Sequence, residues 1–397
     1  MWRLANQIRP YAWGSTTSIP DRLGVAPDGR PQAELWMGAH PGAPSRIEAE
    51  AGPVALDAAI AGDPKEMLGE DVVLHFGERL PFLLKLLAAE QPLSLQVHPS
   101  AARARAGYAA ENAAGVPLDA PHRNYKDPFH KPELVLALDA FEALCGFRDP
   151  ALARAELDGL ASPLAVALRT DLAAPEPHSA LRAAMTRLLT LPPERRTAEV
   201  DGFVGELAEL PVDAVPDGGG AAVVLELAER YPGDPGAVAA LLLNHVTLAP
   251  GEALFLPAGN VHAYLRGTAV EIMAGSDNVL RAGLTPKHVD ADELLDVVEF
   301  AVLPVPYAVP DLCDGRIEHR PDVADFALSI ITPDAAEGPG PRGPAIVFVL
   351  EGEAGLRSES GRGLVLGRGE SAFVPASCGE VTLTGPARVV AATTGRI

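Results

Sequence analysis

Gly251-Glu252-Ala253-Leu254-Phe255-Leu256-Pro257-Ala258 returns in outline as Gly369-Glu370-Ser371-Ala372-Phe373-Val374-Pro375-Ala376, at a constant offset of 118 residues. The glycine, glutamate, phenylalanine, proline and alanine are identical in the two copies. Each copy reads as a glycine turn, a short apolar strand and a proline turn, because glycine accepts positive φ and proline cannot donate to a sheet ladder. A repeat at this distance predicts two related β units. The copies differ at the next step. His262 follows the first, whereas the matching position after the second is Glu380, with no histidine nearby. One metal site is therefore expected, not two.

Glycine turn, strand, proline turn is the pattern of the second half of a double-stranded β-helix, and it resembles the cupin motif. The expected fold is mainly β with a helical insertion (α+β): two cupin-like jelly-roll barrels plus an α-helical domain. Residues 149–245 carry the helical signals. Asp149-Pro150 and Asp234-Pro235 are helix starts with a capping side chain and proline at the first position. Leu181, Met185, Leu188 and Leu189 follow helical spacing. The boundaries expected are 1–148 with 246–315 for a catalytic barrel, 149–245 for the helices, without chemistry of their own, and 316–397 for a second, degenerate barrel. Residues 54–70 also read as helical, and Thr285-Pro286 as the cap of a helix containing Leu294 and Leu295. Leu80-Pro81-Phe82-Leu83-Leu84-Lys85-Leu86-Leu87 reads as a buried strand, with Lys85 either snorkelling to solvent, the default, or meeting an anion.

The chain has 397 residues, 48% of them hydrophobic and 21% charged, which is ordinary for a globular protein with a sizeable core. No apolar run approaches the ~20 residues that span a bilayer, and Met1-Trp2-Arg3-Leu4-Ala5-Asn6 lacks a signal-peptide core. A cytoplasmic protein is expected. Cys145, Cys313 and Cys378 are odd in number and widely spaced, which argues against both a disulfide framework and a thiolate metal site. The net charge of −21 argues against nucleic acid and anionic membranes as partners. An anionic substrate would need a local cationic pocket, which screening over ~8 Å permits.

Leu93-Ser94-Leu95-Gln96-Val97-His98-Pro99 alternates apolar and polar residues, so Gln96 and His98 share one face of a strand. That face is either wet or occupied by something that satisfies an amide and an imidazole, such as a metal ion. Glu133 stands directly before the apolar run Leu134-Val135-Leu136, after the polar cluster Asn124 to Lys131. With His262 from the first repeat, the candidate ligands are Gln96, His98, Glu133 and His262. A nitrogen and oxygen set without thiolate suits zinc, iron, manganese or nickel. A divalent ion with one carboxylate and three neutral ligands leaves a site of roughly +1, able to stabilise an oxyanion. Glu271, Asp277, Arg281 and Lys287 crowd one glycine-bearing stretch, either a surface loop or part of the same site. Trp13, beside Gly14, is either a core side chain or a pocket wall.

Gln96-Val97-His98-Pro99, Lys131-Pro132-Glu133, Pro257 to Tyr264 and Asp277 to Lys287 together resemble the type I phosphomannose isomerases. Tyr11-Ala12-Trp13-Gly14 and Ala33 to Gly38 match as well. The resemblance implies a metal-dependent aldose-ketose isomerase that interconverts mannose 6-phosphate and fructose 6-phosphate through an enediolate, with one Zn2+ per chain. It implies that Gln96, His98, Glu133 and His262 are the zinc ligands and that Arg281 is the active-site arginine. Glu271 falls on an acidic residue lining the same pocket and is counted with the catalytic candidates; Lys131, His130 and Asp277 fall on groups proposed for proton transfer or substrate contact, and Trp13, Lys85, Ser94 and Lys287 on pocket positions. The implied partner is a small sugar phosphate, with a monomer favoured. Two other readings stay open on the residues alone. One is a non-catalytic bicupin that senses or stores a sugar phosphate; the other is an iron oxygenase, against which Gln96 stands where a histidine is usual.

Overall fold

The computed structural model describes residues 1–49, 52–210, 219–313, 315–332, 337–361 and 363–397. Its strands form two antiparallel sheet systems. Each is built around one long strand, His262–Ala274 in the first and Ala345–Ser358 in the second. The repeated segments take equivalent places: Ala253–Leu256 pairs with Glu133–Ala137, and Ser371–Val374 pairs with Ala345 to Phe348. The two-barrel, α+β expectation is borne out.

A strand that serves two layers of a barrel must bend between them. The first turns of His262–Ala274 pair with Phe141–Phe147, whereas its second half lies between Phe82–Ala89 and Glu133–Ala137. The change falls at a register shift between Tyr264 and Arg266, followed by Gly267 at φ 118°. One extra residue inverts which side chains face inward. Tyr264 thus shares an interior with Ala269, and Glu271 and Met273 carry on along that face.

The barrels pack outer face to outer face. Leu84, Leu86, Leu134, Leu136, Val270 and Ile272 from the first meet Phe326, Leu328, Ile346, Phe348, Phe373 and Val390 from the second. Phe82–Ala89 is therefore buried on both sides and reads as one apolar run. Lys85 faces the first interior with Leu87, so the expected snorkelling to solvent has no route. Trp2–Ala5 pairs with Ser371–Val374 and tethers the start of the chain to the second sheet. The interior of the second barrel is apolar, lined by Val347, Val349, Leu356, Val374, Leu383 and Val389.

Helices Pro150–Ala155, Pro163–Asp171, Pro177–Leu189, Pro193–Ala208, Gly220–Arg230 and Pro235–Ala239 form the insertion. Asp149 and Asp234 cap as expected, accepting from Ala151 N and Gly236 N. Leu181, Met185, Leu188 and Val224 enclose a core that reaches onto Leu95, Val97, Leu280 and Ala282 of the first barrel. The helices thus back the strands that carry Gln96 and Arg281.

Two local expectations are corrected. Residues 54–70 open with the end of strand Gly52–Ala55, then break into Leu56–Gly62, Pro64–Leu68 and Glu70–Phe76, because Pro64 and Gly69 interrupt the helical path. Helix Ala291–Val297 is capped by Asp290, not Thr285; Asp290 accepts from Glu293 N at 3.1 Å, while Thr285 Oγ1 accepts from Lys287 N at 3.1 Å. Cys145 and Cys378 are free thiols, and the Cys313 side chain lies outside the described residues.

At Gly267 an added Cβ would lie 2.5 Å from Ala140 O, on top of a backbone conformation that side chains resist. Gly267→Ala is expected to cost about 3 kcal/mol, read as a lower unfolding midpoint in denaturant; an unchanged midpoint would show that the corner tolerates a side chain. His319 is buried, its Nδ1 bonded to Ala308 O at 3.0 Å, and burial pushes its pKa below the usual imidazole value. Below pH ~6.5 the unfolded chain takes up a proton that the folded imidazole refuses, so stability falls as the pH falls. His319→Gln should flatten this slope in unfolding measured from pH 7 to 5; an unaltered slope would assign it to other groups.

Candidate metal centre and active site

Three strands bring the candidate ligands together. Leu95–Val97 carries Gln96, with His98 one residue beyond it; Glu133 opens Glu133–Ala137 and His262 opens the long strand. His262 is paired in register with Gln96, and Arg281 is paired with Gln96 from the other side. His98, Glu133 and His262 are each about 1% exposed, and their ligand atoms all lie within 4.8 Å of one another. His98 Nε2 stands 3.3 Å from one Glu133 oxygen and His262 Nε2 stands 3.4 Å from the other.

The tautomers are set from behind. His98 Nδ1 lies 2.8 Å from Asn278 O and His262 Nδ1 lies 3.0 Å from Asn260 O. A carbonyl only accepts, so each Nδ1 carries the proton and each Nε2 presents its lone pair. Burial pushes the His98 pKa down to about 4, and the Lys131 charge pushes the same way, so the ring stays neutral. Burial alone would raise the Glu133 carboxyl, but Lys131, 2.6 Å away, and His98 hold it well below the usual carboxylate range.

His98 Nε2 and Glu133 Oε2 are buried with no hydrogen-bond partner. Such groups are costly unless something satisfies them. A cation between them does so, and the donor set of two imidazoles and one carboxylate suits a transition metal. The Gln96 amide nitrogen sits 3.3 Å from His262 Nε2, and a half-turn of the amide would turn its oxygen towards the cluster instead. Among the described residues this is the one group of histidine, cysteine or acidic side chains arranged to hold a metal.

A cleft of about 480 Å³ opens beside the cluster, lined by Gln96, Glu133, Lys131, Lys85, Glu271 and Arg281 among others. Lys85 is paired with Glu271 at 2.8 Å and stands 3.8 Å from Glu34, whose other oxygen accepts from Trp36 Nε1 at 2.6 Å. Burial would lower the lysine pKa, but Glu271 and Glu34 more than offset it and raise it. Burial raises the Glu271 carboxyl, against the pull of Lys85. Burial and the neighbouring Glu271 also raise the pKa of Tyr264, whose buried hydroxyl has no hydrogen-bond partner.

The mouth of the cleft is cationic. Burial lowers the Arg281 pKa; Lys287 is lowered by burial and by Arg281, and neither cation is in an ion pair among the described residues. Trp13, Ser94 and Asp277 line the same cleft. Burial opposes the charge of Asp277, but His40, 3.4 Å away, and Lys131 keep its pKa low. His130 does not join them: its Nε2 lies 2.8 Å from Asp325 Oδ2, in the second barrel's half of the chain. Lys131 and Glu133 turn to the cleft, whereas His130, three residues before the strand that opens at Glu133, turns to the second barrel.

Several residues of the site escaped the sequence reading. Glu34 and Trp36 share a strand face by the period of two, a signal that was available. Tyr231 reaches the cleft wall from the helical insertion and donates to Pro92 O at 2.8 Å. Asn278 is wholly buried; it accepts from Lys126 N at 2.7 Å and donates to Asp127 O and Phe129 O at 2.8 Å each. Nothing in sequence spacing marks either of these two.

Two jelly-roll barrels, one of them holding a nitrogen and oxygen ligand set in its interior, define a bicupin metalloprotein. Residues 1–150 match the family model of the phosphomannose isomerase type I catalytic domain, and residues 318–394 that of the mannose-6-phosphate isomerase cupin domain. The mannose-6-phosphate isomerase of Salmonella typhimurium is 42% identical over 399 residues, 98% of each chain. That of Escherichia coli K12 is 41% identical over 404 residues, again 98% of each. A crystal structure of the Salmonella typhimurium enzyme bound to substrate (f6p) and zinc has a TM-score of 0.90 to this chain at 40% identity, covering 100% of both. The chain belongs to the type I phosphomannose isomerase family.

Asn278 ties two loops together behind His98. Asn278→Ala should loosen the carbonyl that orients the imidazole and weaken zinc affinity about 10- to 100-fold in competition with a chromogenic chelator. Unchanged affinity would show that the backbone holds His98 without it.

Proposed function

We infer that this chain interconverts mannose 6-phosphate and fructose 6-phosphate, with Zn2+ held by His98, Glu133, His262 and the Gln96 amide. The observation that carries this reading is the pair of unpartnered buried ligand atoms, His98 Nε2 and Glu133 Oε2, next to a cleft that also contains Arg281. An ion bound there supplies positive charge beside the reacting oxygens of the sugar.

The remaining steps belong to the chain's own side chains. Converting aldose to ketose moves a proton between C2 and C1 through an enediolate whose oxygens gain negative charge. Arg281 faces that charge from the wall of the cleft and stabilises it where water is scarce. Two buried groups of the cleft can carry the proton: Glu271, whose carboxyl is raised towards the working range by burial, and Lys131, held beside Glu133. Lys85 keeps Glu271 in place, and Asp277 lines the cleft near Lys131. Ser94 and Lys287 offer the phosphate a hydroxyl and an unpaired cation at the mouth, and Trp13 walls the sugar. The phosphate lends binding energy remote from the reacting carbons.

The chemistry is assigned to the barrel of residues 1–148 and 246–315, with 149–245 and 316–397 as its supports. Every residue named comes from one chain, so a monomer suffices. No helix among the described residues is long and apolar enough to cross a membrane. Sugar phosphates are charged and stay where they are made, which puts the proposed site of action in the cytoplasm. A net charge of −21 disfavours nucleic acid as a partner.

Stripping the metal with a chelator should abolish formation of fructose 6-phosphate in a coupled assay, and adding Zn2+ should restore it; turnover by demonstrably metal-free protein would refute the reading. Arg281→Met is expected to lower kcat about 10²- to 10³-fold with zinc content unchanged, as for the loss of a group that meets developing charge. A loss confined to KM would reassign Arg281 to ground-state binding.

A further inference from the structure

The segment that carries Arg281 leaves the barrel by a strained turn. Strand Leu280–Gly283 runs along Leu95–Val97, with a register shift between Arg281 and Gly283. Leu284 follows at φ 56°, the one non-glycine side chain among the described residues with positive φ. A leucine is disfavoured there because its Cβ crowds the next carbonyl, so the surroundings must impose the conformation.

What imposes it comes from the helical insertion. Asp234 Oδ1 accepts from Gly236 N at 2.7 Å, capping helix Pro235–Ala239, and Oδ2 accepts from Thr285 N at 3.4 Å. The Leu284 amide also acts on this carboxylate, as does the Arg196 charge, while burial pushes its pKa up. Beside it two backbones touch. A Cβ on Gly283 would lie 2.6 Å from Gly236 Cα and 2.7 Å from Asp234 Oδ1. Arg281 and Lys287 flank this turn, and both line the cleft.

We propose that Asp234 is a positioning residue. By accepting from the Thr285 amide behind the turn, against the close-packed Gly236 and Gly283 backbones, it fixes the direction in which Arg281 and Lys287 enter the cleft, so the helical insertion sets how the substrate's anionic groups are met. This rests on the isomerase reading above. Asp234 is not among the residues that line the cleft, and its effect passes through the turn.

Asp234→Asn separates this role from helix capping. The asparagine oxygen still accepts from Gly236 N, but its NH2 meets the Thr285 N–H donor to donor. The holoenzyme variant is expected to lose about tenfold or more in kcat/KM, with KM raised and kcat lowered together, at unchanged zinc content and with the protein still folded at the assay temperature. Asp234→Ser, which keeps a cap but is too short to reach Thr285, should show the same kinetics. Arg196→Gln leaves the carboxylate and its amide bonds in place and should behave as wild type. Wild-type kcat and KM in Asp234→Asn and Asp234→Ser would overturn the proposal. So would a kinetic loss matched by loss of zinc or by unfolding at the assay temperature, since that marks general loosening. Absence of isomerase activity in the wild type is a separate result, and refutes the functional reading instead.

Discussion

Glu133 carries a negative charge where water does not reach, and much of the first barrel is arranged around that fact. A buried carboxylate is penalised by several kcal/mol unless its charge is met nearby. Lys131 meets one oxygen at 2.6 Å; the imidazoles of His98 and His262 stand at 3.3 and 3.4 Å, and neither needs to be charged for the arrangement to hold. Neutral imidazole is what a cation requires. Were His98 protonated, the cluster would present an ammonium and an imidazolium to an incoming ion, and repulsion would cancel the pull of the carboxylate. Burial and the Lys131 charge prevent this by lowering the His98 pKa, and the carbonyls of Asn278 and Asn260 choose the tautomer. The same lysine that offsets the carboxylate therefore also keeps its neighbour basic in the sense a metal needs.

The cations of the cleft fall into two groups that answer different demands. Lys85 and Lys131 lie deep and are each matched by a carboxylate, so they add little net potential and fix the shape of the floor. Arg281 and Lys287 stand nearer the mouth with no such partner. In a chain of net charge −21 this is where an anion gains most, because screening confines the repulsion of distant carboxylates while the two cations act at contact range. In the isomerase reaction proposed above, an arginine without a carboxylate partner would keep its full charge for the transition state, since no protein carboxylate would have to be left behind when the substrate oxygens arrive.

Local alternation carried the sequence reading a long way, and it failed where a second layer decided the outcome. Gln96 and His98 are two apart on a short strand, so one face was legible, and the repeated glycine-to-proline segment located His262 opposite it. Of the two readings for Lys85, the default of snorkelling gave way to the other: the strand turns it to the barrel interior, where Glu271 meets it, while the second barrel covers Leu84 and Leu86 on the opposite face. Tyr264 and Glu271 are out of phase by simple counting, and the shift before Gly267 inverts the pattern between them and puts both on the interior face. Tyr231 and Asn278 had no periodic signature at all: one arrives from a different segment of the fold, and the other acts through its amide and its backbone carbonyl. Crowding of ionisable residues from Asn124 to Lys131 pointed to the right loop, yet only Lys131 among the residues singled out there turns to the cleft, because His130 is claimed by Asp325.

The helical insertion is bound up with the metal site despite contributing no ligand. Leu95–Val97 is three residues long and Leu280–Gly283 four, too short to persist by pairing alone. Their polar residues face the cleft, and their apolar ones, Leu95, Val97, Leu280 and Ala282, are buried against Leu181, Met185 and Val224 of the helices or their near neighbours in the same core. Each large side chain so covered contributes about 1.5–3 kcal/mol relative to exposure. Without the helices these strands would offer one face to substrate and the other, greasy face to water, and they would be among the first parts of the barrel to open. Gln96, His98 and Arg281 depend on those two strands for their positions. The precision of a site built from the first barrel's interior is therefore maintained from outside it, by packing on the reverse of the strands that carry the chemistry.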